Sequence, residues 1–488
     1  MNKDTDHAFF GQPRGLATLA FTEFWERFSY YGMKAILLYY MYFAVTKGGL
    51  GFDRATAMSV VSIYGSLVYM SSVIGGFVAD RLWGGRRTVF VGGVLIMFGH
   101  IFLALPFGAV ALFASIALIV LGTGLLKPNI SEMVGGLYSE NDIRRDSGFS
   151  VLVMGINLGS FLSPLIVGWL GQQVNFHLGF SIAAIGMAVG LFFYVVDGRK
   201  YLNSSDNQAP DPLAPEEYKP LIMKVLLAVL VIAAIILVMA LTGHLNLANI
   251  ISLITVIAIL IPIAYFVMFL TSKKVTKVER SRVWAYIPLF IAAVIFWAIE
   301  EQGAVVLAMF AETQTNLNFM GFAIPASWFQ SLNPLFIILY TPFFAWLWMH
   351  MGKNQPSSPK KFTLGLVFAG LSFVVMMLPI GMSGTKALVS PLWLVLSWAI
   401  VEVGELLISP VGLSVTTKLA PRAFRSQMMS MWFLADAAAQ AINAQVVKFY
   451  TTPNEFWFFA IVGGVTILFG LLLFFVTPRI EKLMAGIN

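Results

Sequence analysis

The sequence predicts an all-α integral membrane protein of fourteen spanning helices. Three observations lead there. Of 488 residues, 58% are hydrophobic and 11% are charged, against roughly 25% charged in a soluble domain. Apolar runs of about 20 residues recur along the chain, each long enough to cross a ~30 Å hydrocarbon core. The loops between these runs are alternately rich and poor in Lys and Arg.

The runs fall near 15–45, 56–79, 88–106, 109–134, 147–171, 177–197, 221–241, 247–271, 284–311, 325–349, 362–382, 390–416, 426–448 and 455–477. An even number places both termini on one side. Of the 31 Lys and Arg, 24 fall on that side, from Lys3 to Lys482; Lys47, Arg54, Lys386 and Lys448 fall on the other, and Arg27, Lys34 and Lys127 fall within the membrane. This asymmetry supports the count and predicts a multi-pass protein of the cell membrane with both termini cytoplasmic. It also accounts for the formal charge of +7: the charges read as topology signals facing anionic lipid, not as a nucleic-acid surface. There is no cysteine and the five histidines are scattered, so neither a metal site nor another cofactor is expected. The N-terminus, MNKDTDHAFFGQPRG, is polar and does not read as a cleaved signal peptide.

The long polar stretch GRKYLNSSDNQAPDPLAPEEYKP (198–220) reads as a linker after the sixth helix. The next two runs are almost purely Leu, Ile, Val and Ala. They read as a lipid-facing pair inserted between two six-helix halves, which gives a division into 1–197, 198–282 and 283–488. The halves carry traces of a repeat. GTGLLKP (122–128) in the fourth helix and GELLISP (404–410) in the tenth both follow G-x-x-L-x-x-P. The first helix of each half carries buried acids, Glu23 and Glu26 in one, Glu300 and Glu301 in the other. The second helix of each half is followed by a basic loop, DRLWGGRR or HMGKNQPSSPKK. Two related bundles around a midplane site are the plan of a secondary transporter.

The most informative stretch is TEFWERFSYYGMK (22–34), which holds two acids and two bases within three turns. At about 100° per residue, with Glu23 at 0°, Glu26 falls at about 300°, Arg27 at about 40°, Tyr30 at about 340° and Lys34 at about 20°. All share one face, with Tyr31 at its margin. Intramembrane ionisable groups are rare and usually mark an ion or substrate pathway; the alternative is a structural cluster that locks two helices. Elsewhere Lys127, Glu132, Glu300, Glu301, Glu402 and Glu405 lie within spans. Lys127 and Glu405 sit on corresponding helices of the two halves, so they are expected to pair across the midplane, as a gate that a ligand opens or as a permanent bridge. Asn157 and Asn333 lie mid-membrane, where an amide bonds a substrate or glues helices. Tyr30, Tyr31, Tyr69, Trp297 and Trp432 lie beside these motifs and offer apolar walls with polar tips, or ordinary packing. Fixed positive charge, fixed negative charge and amides in one cavity suit a proton-coupled carrier of a small zwitterionic solute.

Three stretches resemble the proton-dependent oligopeptide transporter family of the major facilitator superfamily. ExxERFSYYG (23–32), GGFVADRLWGGRRTVFVGG (75–93) and FSVLVMGINLGSF (149–161) are similar to its signatures, in the same order. The resemblance spans essentially the whole chain, including the inserted helix pair. It implies a major facilitator fold, with proton-driven import of di- and tripeptides by alternating access in a functional monomer. Residue by residue it implies that Glu23, Glu26, Arg27 and Glu300 couple protons. It implies that Arg27 and Lys127 take the peptide carboxylate, Glu405 the amino terminus, and Asn157 and Asn333 the peptide backbone. Tyr30, Tyr31, Tyr69, Trp297 and Trp432 would line side-chain pockets, with Lys34 and Glu300 also at the site. The sequence departs from the family twice. Lys34 stands where many relatives have Arg, a point charge in place of a planar fork. The second helix (56–79) has no histidine, the residue animal relatives use, so coupling must rest on carboxylates.

The rival reading is a proton-coupled carrier of another small anionic or zwitterionic solute on the same fold. The chain shows no nucleophile–base set for an intramembrane enzyme. A lipid-facing scaffold would not need the buried charges, and a channel would predict uncoupled flux.

Overall fold

The computed structural model describes residues 7–139, 142–319, 321–384 and 388–487. Lys3 and Lys386, counted above among the basic residues, lie outside the described residues. Within them the chain forms sixteen α-helices that make fourteen spans. The first six are α1 (Arg14–Tyr42), α2 (Arg54–Val78), α3 (Gly85–Ala104), α4 (Gly108–Gly135), α5 (Arg145–Trp169) and α6 (Phe176–Tyr201). The inserted pair is α7 (Pro215–Leu241) and α8 (Leu247–Thr271). The last six are α9 (Lys277–Glu300) continued by α10 (Val306–Gln314), α11 (Leu332–Met351), α12 (Ser358–Val374) continued by α13 (Met377–Ser383), α14 (Leu392–Leu419), α15 (Arg425–Val446) and α16 (Glu455–Leu483).

Local chemistry sets the helix starts. Asp53 caps α2 by accepting from the Thr56 amide at 3.0 Å, Asn175 caps α6 and Asn246 caps α8. Thr276 and Glu279 form a capping box at α9. Twelve of the spans are apolar enough to be recognised by length and composition among the described residues. The other two, α1 and α15, are interrupted by charged and polar residues, Glu23, Glu26, Arg27 and Lys34 in one and Asp436, Gln440 and Asn443 in the other.

The α9–α10 span is broken by a 3-10 turn at Glu301–Ala304. Its Gly303 lies so close to α14 that an added Cβ would meet the Trp398 ring at 2.2 Å. The break therefore sits where two helices need the smallest residue, and it turns Glu300 and Glu301 toward different partners.

Within the first six spans, α1 packs on α5 and α6, and α4 on α2 and α3; within the last six, α12 packs on α14 and α16, and α9 on α15. The seams between them are α2 with α15 and α5 with α11. Polar contacts join the halves at the end that carries Lys47 and Arg54. Arg54 Nη2 lies 2.9 Å from Glu455, Tyr39 donates to the Ala308 carbonyl at 3.0 Å and Ser59 to that of Ala444 at 2.7 Å.

Two expectations need correction. The linker is shorter than 198–220, because α6 runs to Tyr201 and α7 starts at Pro215, where proline is pre-set for a first helical turn. The segment between them docks on the α2–α3 turn, where Arg81 pairs with Asp211; the first turn of α7 adds Glu217, 2.6 Å from Arg81 Nη2. Nor do both inserted helices face lipid alone. α7 buries no residue, but α8 buries Ile251, Thr255, Ala258, Pro262 and Phe269. It packs on α15, with Thr255 donating to the Ala441 carbonyl at 3.1 Å. These buried residues recur at helical spacing on one face, which a count of apolar residues does not reveal.

Candidate functional site

The charged face expected on α1 is present and buried. Arg27 binds Glu26 through Nε and, at 2.6 Å, through Nη2, and Glu23 Oε1 lies 3.5 Å from Nε. The guanidinium covers the Tyr30 ring at 5.0 Å and the Tyr31 ring at 5.8 Å from their centroids. With Nε and Nη2 bound and two rings against its plane, Arg27 is 3% exposed. It and Tyr30 lie behind the cavity wall, not in it.

The cavity, of about 470 Å³, lies between the halves and is walled by Tyr31, Lys34, Tyr69, Asn157, Trp297, Glu300, Asn333, Glu405 and Trp432. Sequence reasoning placed all nine at the site. Lys34 Nζ reaches across the halves to Glu301 Oε2 at 2.8 Å, an ion pair in which the two side chains are 11% and 12% exposed. Glu301 was recognised in the sequence as an intramembrane acid but not given a site role. Glu300, to which that role went, turns instead toward α11 and α14.

There Asn333 Nδ2 donates to Glu300 Oε1 at 2.6 Å, to Glu402 Oε1 at 2.8 Å and, more weakly, to Glu405 Oε2 at 3.4 Å. One carboxylate oxygen from each acid lies within 4.8 Å of the others. Glu300 Oε2 and Glu402 Oε2 have no hydrogen-bond partner among the described residues. Three carboxylates sharing one neutral amide cannot all stay charged without a compensating cation or proton. Asn333 spends its donors on these acids, and Asn157 gives one of its own to the Val153 carbonyl at 3.0 Å, so neither amide is simply free for a ligand.

The expected bridge between Lys127 and Glu405 is not made in this conformation. Glu405 is drawn into the Asn333 cluster, while Lys127 Nζ sits 4.2 Å over the Tyr69 ring. Lys127 walls a smaller side cavity, of about 150 Å³, with Tyr69, Trp297, Trp432 and Asp436. Asp436 escaped the sequence reading, although it is the only acid between Arg425 and Lys448 and is 3% exposed. No charged residue on its own helix pairs with it in the sequence, so nothing there marked it as part of a site.

The site is therefore bipolar. Lys34 and Lys127, with Arg27 behind them, stand on the first half, and Glu300, Glu402 and Glu405 stand on the second.

Comparison with known proteins fits this geometry. The sequence profile described as "PTR2: POT family" matches residues 86–463. The chain is 51% identical to a di-/tripeptide transporter of Lactococcus lactis subsp. cremoris, over 100% of this chain and 99% of that one. It superposes with a TM-score of 0.95 on the crystal structure of a peptide transporter POT in complex with sulfate, at 56% identity, covering 98% of this chain and 97% of that one. A POT family transporter in complex with 5-aminolevulinic acid superposes with a TM-score of 0.93 at 45% identity, covering 97% of this chain and 98% of that one.

Proposed function

Because this chain belongs to the POT family and has its major facilitator fold, we propose that it carries di- and tripeptides across the cell membrane, driven by protons, by alternating access. Both termini are cytoplasmic in this reading, and the functional unit is the monomer. The observation that carries it is the bipolar cavity. A peptide zwitterion places its carboxylate toward Lys127 and its ammonium toward Glu405, Glu402 and Glu300, where it supplies the positive charge those acids lack. Trp297, Trp432, Tyr31 and Tyr69 flank the side chains between these poles. The only coupling ion invoked is the proton.

Proton entry acts on the same groups. Protonating Glu301 removes the charge that holds Lys34 across the seam, so the halves are freed to part at the Arg54 end. Glu23 and Glu26 hold Arg27, and a proton on either loosens that cluster. Geometry thus supports Glu301, next to the expected Glu300, as the acid that links protonation to opening. Polar contacts gathered at the Lys47–Arg54 end correspond to a carrier open toward the cytoplasm.

A second reading, transport of another small amino-carboxylate, is favoured by the related transporter in complex with 5-aminolevulinic acid. The deciding experiment is uptake of dialanine and trialanine into proteoliposomes under an imposed proton gradient, with 5-aminolevulinic acid in parallel. Accumulation of peptide above the gradient-free control supports the first reading. No peptide accumulation, with 5-aminolevulinic acid concentrated, supports the second, and no accumulation of either rejects both.

A further inference from the structure

Lys127 is a buried cation whose counter-charge is the question. Its ammonium rests on the Tyr69 ring, and among the described residues it makes no ion pair. Asp436 on α15 shares its side cavity, and Arg27, Glu26 and Glu23 on α1 are the other charges that act on it. The two glutamates are already engaged by Arg27. Among the described residues Asp436 makes no ion pair: its Oδ1 accepts from Gln440 Nε2 at 2.8 Å.

Asp436 is also held in place. Gln440 is pressed into α2 at Gly65, where an added Cβ would meet its Oε1 at 1.6 Å. One residue beyond Asp436, the Ala437 carbonyl accepts from Ser66 at 2.7 Å. The acid is thus fixed at the α2–α15 seam, facing across the side cavity a cation from the opposite half. That cavity shares Tyr69, Trp297, Ser409 and Trp432 with the central one, so a ligand on Lys127 and Asp436 compete for the same ammonium.

We propose that Asp436 is a positioning residue that takes over Lys127 when the carrier is empty. The inference rests on the peptide reading above. In the loaded carrier the peptide carboxylate neutralises Lys127. Once the peptide leaves, a lone ammonium remains in a low-dielectric seam, a state that opposes closure because an unpaired buried charge is costly. Asp436 pairs with it as the cytoplasmic side closes, so the empty carrier returns. The loaded carrier does not need Asp436, since its own ligand supplies the charge.

Net uptake requires the empty return, whereas counterflow exchange does not. Asp436→Asn in proteoliposomes should therefore cut gradient-driven dialanine accumulation at least about tenfold, the size of one lost interaction of about 1.4 kcal/mol. Counterflow exchange, and peptide binding to the purified variant followed by tryptophan fluorescence, should stay within about twofold of wild type. Asp436→Glu should restore most of the net uptake. Normal accumulation by Asp436→Asn overturns the inference. Equal loss of accumulation and exchange overturns it too, because Asp436 would then serve loading or the fold. A wild-type protein that accumulates no peptide removes the transport reading, and this inference with it; a normal wild type beside an unaffected Asp436→Asn removes this inference alone.

Discussion

Lys34 Nζ and Glu301 Oε2 lie 2.8 Å apart, one on the charged face of α1 and the other on the first residue of the break between α9 and α10. The pair joins the two halves at the edge of the cavity and is nearly sealed from solvent. Removing one member leaves the other charge buried and unpaired, which is why such a bond acts as a latch more than as a source of stability.

The first prediction follows from that latch. Glu301→Gln mimics a permanently protonated acid. It should abolish concentrative uptake while preserving peptide counterflow, because exchange needs no proton cycle. Glu300→Gln, which disturbs the Asn333 cluster instead, should chiefly raise KM. Parallel uptake and exchange assays separate the two; a Glu301→Gln protein that still concentrates peptide would reject the latch.

Glu26 accepts both hydrogen bonds from the Arg27 guanidinium and Glu23 lies 3.5 Å from its Nε, so after either substitution one acid remains to hold Arg27. Glu23→Gln or Glu26→Gln alone should flatten the dependence of uptake on external pH and lower concentrative transport. The double variant should lose concentrative transport entirely. Initial rates measured across a pH series test this, and an unchanged pH profile in the double variant would remove these acids from coupling.

The break in the α9–α10 span should be sensitive to one methyl group. Gly303→Ala places a Cβ 2.2 Å from the Trp398 ring, which must move. Overpacking of this kind costs about 1–3 kcal/mol, so a lower Tm is expected in detergent. Gly303→Ala combined with Trp398→Phe should recover part of the loss, and thermal unfolding followed by intrinsic fluorescence reads both.

A fourth prediction concerns pH at the start of α2, outside the span. The Thr56 hydroxyl and the backbone amides there hold the Asp53 carboxyl below its usual range. A lowered value means the cap is fully present above the ordinary carboxylate pKa and is lost as pH falls through the lowered one. Amide exchange at Thr56, whose N–H the cap holds at 3.0 Å, should be slow near neutrality. Protection should disappear under strongly acidic conditions and should be absent at any pH in Asp53→Ala.

The charged face of α1 was legible in the sequence because helical periodicity alone brings Glu23, Glu26, Arg27 and Lys34 together. The helix count was legible because lipid imposes length and hydropathy on each span. What could not be read was partner choice across helices. Glu300 and Glu301 are adjacent, and a broken turn decides that one meets Asn333 and the other Lys34. Lys127 and Glu405 occupy matching places in the repeat, yet Asn333 draws Glu405 to its own side. Asp436 was hidden for another reason: the cation it faces lies on another helix, and no charged neighbour between Arg425 and Lys448 marks a site around it.

α7 buries no residue against the rest of the protein. Beyond Glu217, which pairs with Arg81 in its first turn, its side chains therefore answer to the surrounding lipid and to no packing partner. Exchange among Leu, Ile, Val and Phe along its length should be silent, and its sequence is free to drift as long as the bilayer accepts it. The constraint on the inserted pair falls on α8, which alone has a shape to match.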